Sequence, residues 1–420
     1  MNRIILIGNG FDLAHGMRTS YHDFLNNYWE NTIKEIQETE LDSLFENAEI
    51  KIDRCPNKFL RGSTYSDLEK SVKQHQTKLR FKNEFLRIIT NQSNIEHWVD
   101  VENEYYLLLK KILRKEIGYN IRNLNSDFNA IKKRLGTYLQ EVEEKFTDKL
   151  SKVSLKEKGI IGRKIYKRFE LKDFSESSIN KIAEEEHKLL SKYVEMFKRA
   201  SINGGGIIDN EKEKIIDKIG KDLSLVALKK LMQSEIAYFY FDLIPDQTLI
   251  LNFNYTATDF LYNNPKFFSD DITEKQTSMK SIHIHGTTDE YDNNEMIFGF
   301  GDELDEDYKL IERLNDNSYL ENIKSINYLE ASNYKRLLDF IDSDVFQVFI
   351  FGHSCGTSDR TMLNTIFEHD NCASIKPFYH QKCENNDNYS DIVRNISRNF
   401  NDKAKMRDRV VNKSYCEPLS

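Results

Sequence analysis

The chain has 420 residues, more than one ordinary domain holds, so a core with a large insertion or a second domain is expected. Hydrophobic residues make up 39% and charged residues 30%, with a mean hydropathy of −0.63, which excludes a disordered chain. The net charge of −8 argues against a dominant nucleic-acid surface, and no apolar run reaches the ~18 residues of a membrane span.

The first element is the clearest. Ile4 to Ile7 form a short, β-branched apolar run that reads as a fully buried strand. It runs into Gly8-Asn9-Gly10, followed by a helical segment carrying Phe11 and Asp12 and ending near His15-Gly16. A strand, a glycine turn and a helix start can hold a pyrophosphate on backbone N–H groups. An ordinary strand-to-helix turn fits the same residues. The spacing is neither G-x-G-x-x-G nor a P-loop. No signal-peptide pattern precedes the strand, so a cytoplasmic location and no membrane partner are expected.

From about residue 31 to 244 strand signals are almost absent. The stretch is charged and carries helical apolar spacing, as in Trp98, Val101, Tyr105, Leu108 and Ile112. Ser175 and Ser177 are placed to cap a helix over 179–197, and Asn203-Gly-Gly-Gly206 marks a break. The basic stretch Lys149 to Lys172 reads as a solvated face before it reads as a nucleic-acid groove, though nucleic acid is not excluded as a partner. Five scattered cysteines without a C-x-x-C pair give no basis for a disulfide framework or a zinc site, and no metal is expected.

After Pro245 the strands return at Thr248–Phe253, Ser281–His285, Met296–Phe300, Asp344–Phe351 and Ala373–Tyr379, before a polar C-terminal helix. Strands separated by helices predict an α/β fold with a doubly wound parallel sheet. Its domain comprises 1–30 and 245–420, and 31–244 is a large helical insertion. In such sheets ligands sit beyond the carboxyl ends of the strands. Those ends carry Asp12, Asn252-Phe-Asn254, His283-Ile-His285-Gly286, and Gly352-His-Ser354 with Asp359 beyond, so one site can gather Asp12, Asn254, His285, Ser354 and Asp359. His285 is the candidate acid/base and His283 a sheet-face residue. Asn254 can orient a ribose or a water, or cap the next helix.

These motifs carry two resemblances. The Gly8–Gly16 run resembles the phosphate-binding run of sirtuins, and Asn252-Phe-Asn254-Tyr-Thr256 resembles their T-x-N-x-D element. His285-Gly286 resembles their H-G element, and Gly352-His-Ser354 with Asp359 the late G-x-S…D element of sirtuin-like defence domains. The N-terminal run with Thr19-Ser20-Tyr21 and Phe24, together with Trp98-Val-Asp100-Val-Glu102, more closely resembles the bacterial abortive-infection AbiH family of anti-phage proteins. The resemblance implies a sirtuin-like Rossmann variant that cleaves NAD at the nicotinamide–ribose bond without zinc. His285 and Asn254 would be catalytic. Gly8, Asn9, Gly10, Asp12, Gly16, Ser354 and Asp359 would bind NAD or a related nucleotide. A phage trigger and a homo-oligomer are expected. Thr256 stands where the sirtuin T-x-N-x-D element has aspartate, which leaves a non-enzymatic nucleotide-sensing scaffold open. A nuclease or nucleic-acid-binding effector using Asp12, Asp100 and Glu102 is a further alternative. Glu102 reads as a surface acid beside a Trp98 anchor before it reads as part of the site.

Overall fold

The computed structural model describes residues 1–92, 98–147, 155–202, 209–264, 268, 279–288, 294–383 and 386–420. The run Ile4–Ile7 is wholly buried because its strand, β1 (Asn2–Ile7), lies at the centre of a five-stranded sheet. The other strands are β2 (Thr248–Asn252), β3 (Met279–His283), β4 (Phe346–Phe351) and β5 (Cys372–Phe378). Their order across the sheet is β3-β2-β1-β4-β5, and every pairing is parallel, with Ile5 opposite Ile250 on one side and Phe349 on the other. From β1 the chain steps outward to β2 and β3, then returns across β1 to β4 and β5. The direction therefore reverses between β1 and β4, the position beyond which ligands sit in open parallel sheets.

Both faces of the sheet are covered, which is why β1 and β4 read as continuous apolar runs. Ile4, Leu6, Val348 and Ile350 pack against Leu337 and Ile341 of one helix, Leu363 and Ile366 of a second and Ile396 of a third. Ile5, Ile7, Phe349 and Phe351 pack on the other face against Phe11, Ile161, Ile165 and Tyr262. The chain is thus a mixed α/β protein on a parallel sheet with many helices.

Between β1 and β2 the chain forms mainly helices around a separate core that includes Trp29, Tyr105 and Phe128. Ser20 caps the helix Tyr21–Glu38 in a capping box with Asp23, and the Ser178 amide donates to Ser175 Oγ at 3.2 Å at the start of Glu176–Ile202. The segment also holds a three-stranded sheet of Phe45–Glu46, Ile50–Ile52 and Leu79–Phe81, whose strands are too short to show periodicity. The break expected at 203–206 lies outside the described residues.

One strand expectation is corrected. Met296–Phe300 joins no sheet, because its backbone and rings are used elsewhere. The Ile297 amide donates to His285 O at 2.7 Å, and Phe300 makes only an isolated bridge to Ile323. The Phe298 ring stacks on Phe128 at 4.9 Å and Phe300 on Tyr106 at 3.9 Å. The run is apolar because it joins the sheet domain to the helical core.

Candidate functional site

The site begins where two turns meet. The Gly8 amide donates to Phe351 O at 3.2 Å and the Gly10 amide to Gly352 O at 2.9 Å, so the turns after β1 and β4 are joined backbone to backbone. A Cβ on Gly8 would lie 2.5 Å from His353 Cα, and one on Gly10 would lie 2.8 Å from Gly352 O. Gly352 itself has φ +69°. The glycines are therefore required by close approach of two chain segments. The expectation that Gly8 and Gly10 cradle a pyrophosphate on their amides is corrected accordingly, since both amides are already donated. A Gly10→Val side chain would collide with Gly352 at this junction, so the variant is expected to disturb the packing of the two turns.

Around the junction the polar side chains hold one another. Asp12, in the six-residue helix Asn9–Ala14, is buried and accepts from Thr256 Oγ1 at 2.6 Å and from the Thr258 hydroxyl. Thr256 is thus the donor to a carboxylate on another element. Burial pushes Asp12 up to about 6, against those two hydrogen bonds. Asn254 donates its amide to Gly8 O at 3.1 Å, and Asn252 donates to Asp259 Oδ1 at 3.0 Å. His283, the last residue of β3, has Nε2 3.2 Å from Asp259 Oδ1. Asn9 Oδ1 accepts from Thr19 Oγ1 at 2.6 Å, which connects the glycine turn to the Thr19-Ser20-Tyr21 run.

Beside the junction lies a closed charge cluster. His285 Nε2 is 3.1 Å from Asp359 Oδ1 and 3.1 Å from the Tyr328 hydroxyl, and its Nδ1 donates to Phe253 O at 3.1 Å. Lys324 Nζ lies 2.8 Å from Asp359 Oδ1 and 2.8 Å from Glu102 Oε1. The His353 ring completes the group, with Nδ1 accepting from the Cys355 amide at 3.0 Å and Nε2 3.7 Å from Asp359 Oδ2. Side-chain exposures are 1% for Lys324, 6% for His285, 7% for Glu102 and 10% for Asp359, so the cluster is nearly dry.

The environments differ sharply. Burial works against charge on Asp359, but Lys324 and His285 outweigh it and hold the carboxyl far below its ordinary range. Burial pushes Glu102 up, and Lys324 does not compensate. Burial lowers His353 to about 4, which leaves it neutral at physiological pH. Lys324 stays charged because Asp359 and Glu102 overcome its desolvation.

His285, Asn254, Asp12 and Asp359 are thus brought to one edge of the sheet. Ser354 is exposed and offers its carbonyl to Asn395 Nδ2 at 2.8 Å, and exposed Gly16 (φ +76°) turns the chain at the far end of the Asn9–Ala14 helix. Neither joins the cluster. Glu102 is corrected from surface acid to buried partner of Lys324. Its helix Trp98–Leu113 belongs to the helical segment, and that segment reaches the sheet here. Sequence reasoning missed Lys324, Tyr328 and His353. The last stood within the Gly352-His-Ser354 motif, whereas the other two had no signal. In the basic stretch, Lys164 donates to Pro418 O at 2.6 Å and Lys167 to Glu417 at 3.0 Å, so these cations serve internal contacts. Among the described residues no group of three His, Cys, Asp or Glu side chains is arranged to hold a metal. Among them too, no helix is long and apolar enough to cross a membrane.

Fold and site together define an α/β protein with a buried acid–base cluster at the carboxyl edge of a parallel sheet. Residues 4–380 match the family model described as bacteriophage abortive infection AbiH, and the chain belongs to that family. Membership suggests an anti-phage abortive-infection role. No curated protein and no solved structure matches the chain.

Proposed function

We propose that the chain acts in abortive infection by cleaving NAD at the nicotinamide–ribose bond, at the carboxyl edge between β1 and β4. The observation that carries this reading is the His285–Asp359 pair, 3.1 Å apart beyond the carboxyl ends of β3 and β4. In the reaction the C–N bond breaks and its electron pair returns to the pyridine nitrogen, so nicotinamide leaves neutral. Water adds to the ribose carbon and gives its proton to His285 Nε2, whose charge Asp359 balances. Asn254, anchored on Gly8, would orient the ribose through its amide oxygen. The diphosphate is not assigned to the Gly8 and Gly10 amides. Because His285 and Asp359 are covered in the resting chain, entry of the nucleotide requires the cover to move, a role suited to a phage trigger.

The test is to incubate the purified chain with NAD and measure nicotinamide and ADP-ribose. His285→Ala is expected to lower turnover by about 10²–10⁴-fold, and Asn254→Ala to do no further harm in the double variant. The internal saturation of Asp12 and His285 favours a second reading, a nucleotide-sensing scaffold, which tight NAD binding without nicotinamide release would establish. NAD neither bound nor cleaved, with trigger present, overturns both.

A further inference from the structure

Lys324 is one permanent cation set between two carboxylates, 2.8 Å from each, and all three side chains are at most 10% exposed. With both carboxylates ionised, the two share that one permanent cation in a dry interior, which is costly. One proton relieves that cost. Asp359 takes a second charge-assisted contact, from the His285 ring, as well as the Lys324 ammonium, and Ser358 Oγ lies 3.4 Å away. Its negative charge is the better satisfied of the two.

We propose that Glu102 enters the resting site as a neutral acid, with Lys324 donating to its Oε1 and the proton carried on Oε2, while Asp359 bears the negative charge of the cluster. The groups facing Glu102 are Lys324, Asp359, His285, Tyr255 and Tyr328. Of these, Lys324 and His285 favour its ionisation, whereas Asp359 opposes it, as does burial. The two carboxylates that share one lysine are thereby pushed in opposite directions, one an acid and one a base. The helical segment supplies the acid and the sheet supplies the base.

The test needs no nucleotide, so it stands or falls apart from the NAD reading. A glutamate kept neutral by folding takes up a proton as the chain folds. Wild type then loses stability as pH rises from the unfolded glutamate pKa towards the folded one, and Glu102→Gln lacks that contribution. Denaturant unfolding of full-length wild type and Glu102→Gln at about pH 5 and about pH 8 should show the variant gaining at least about tenfold in the relative folding constant at the higher pH. A variant penalised equally or more at about pH 8 shows Glu102 to be an ionised salt-bridge partner and overturns the proposal. So does a Glu102→Gln chain that fails to fold, since the neutral isostere of a neutral acid must be tolerated. Infrared spectroscopy gives a second readout. Wild type at neutral pH should show a protonated-carboxyl band that Glu102→Gln lacks, and identical spectra overturn the assignment.

Discussion

Two lysines in this molecule are each 1% exposed and each set between two carboxylates, yet their surroundings differ. Lys324 faces Glu102 and Asp359 at the carboxyl edge of the sheet. Lys376, partway along the edge strand β5, lies 2.8 Å from Glu170 and 2.9 Å from Asp173. There, a second permanent cation stands close by. Arg3 is fully buried, 4.2 Å over the Phe349 ring and 4.7 Å over Phe169, and donates to Gln347 Oε1 at 3.4 Å and to the Lys167 carbonyl. Burial lowers Arg3 to about 9, which still leaves it charged. Glu170 is 27% exposed and also meets Lys167; burial opposes its ionisation, but Lys376 and Lys167 hold it down to about 2. Burial raises Asp173 here too, so the two clusters differ in their permanent cations, Lys376 and Arg3 against Lys324 alone, and not in the direction of every carboxyl. The carboxyl-edge cluster has one such cation and must balance with protons. A structural clamp and a chemical site can share the same motif of one lysine and two acids, and the charge count separates them.

The comparison can be broken at several points. Lys324→Met leaves two carboxylates in a dry site with no permanent cation. It is expected to cost about 3–5 kcal/mol in urea unfolding, with part regained in an Asp359→Asn background. Lys376→Met should cost less, roughly 1–3 kcal/mol, because Glu170 can turn to water and Arg3 remains near Asp173. Equal losses at the two lysines would mean that the charge count does not distinguish them.

A pH series sharpens the same point. Asp12 is raised to about 6 in the folded chain by burial, and its partners are hydroxyls, not cations. A raised acid contributes stability that is full below the unfolded pKa and is lost as pH rises through the folded value. Wild type should therefore lose stability between about pH 4 and about pH 8, and Asp12→Asn should remove roughly 2–3 kcal/mol of that loss. The smallest effect is expected at an exposed lysine. Lys188 meets Glu185 at 2.7 Å on a helix surface with both side chains over 60% exposed, and Lys188→Met should leave the unfolding midpoint unchanged.

Much of the sheet and part of the site were legible in the sequence, for one reason. A buried parallel strand must be apolar along its whole length, and its carboxyl end must change composition abruptly where the backbone leaves the sheet. Ile4–Ile7 before Gly8, and Phe346–Phe351 before Gly352, both show that change, and reading just past such ends found Asp12, Asn254, His285 and Asp359. The same reading failed at Met296–Phe300, where an equally apolar run serves aromatic packing between the sheet and the helical core.

What sequence alone determined is therefore the order of strands and the residues at their ends, because burial and turn chemistry act on neighbours along the chain. Tertiary structure decided which glycine amides are already donated and that Ser354 faces outward. It also decided that Glu102 meets Lys324 inside the protein instead of water outside it. A charged residue in a polar helix has the same local pattern whether it ends in solvent or against a distant lysine. Only the packing of Trp98–Leu113 onto the segment around Asp359 distinguishes the two, and that packing is a property of the whole fold.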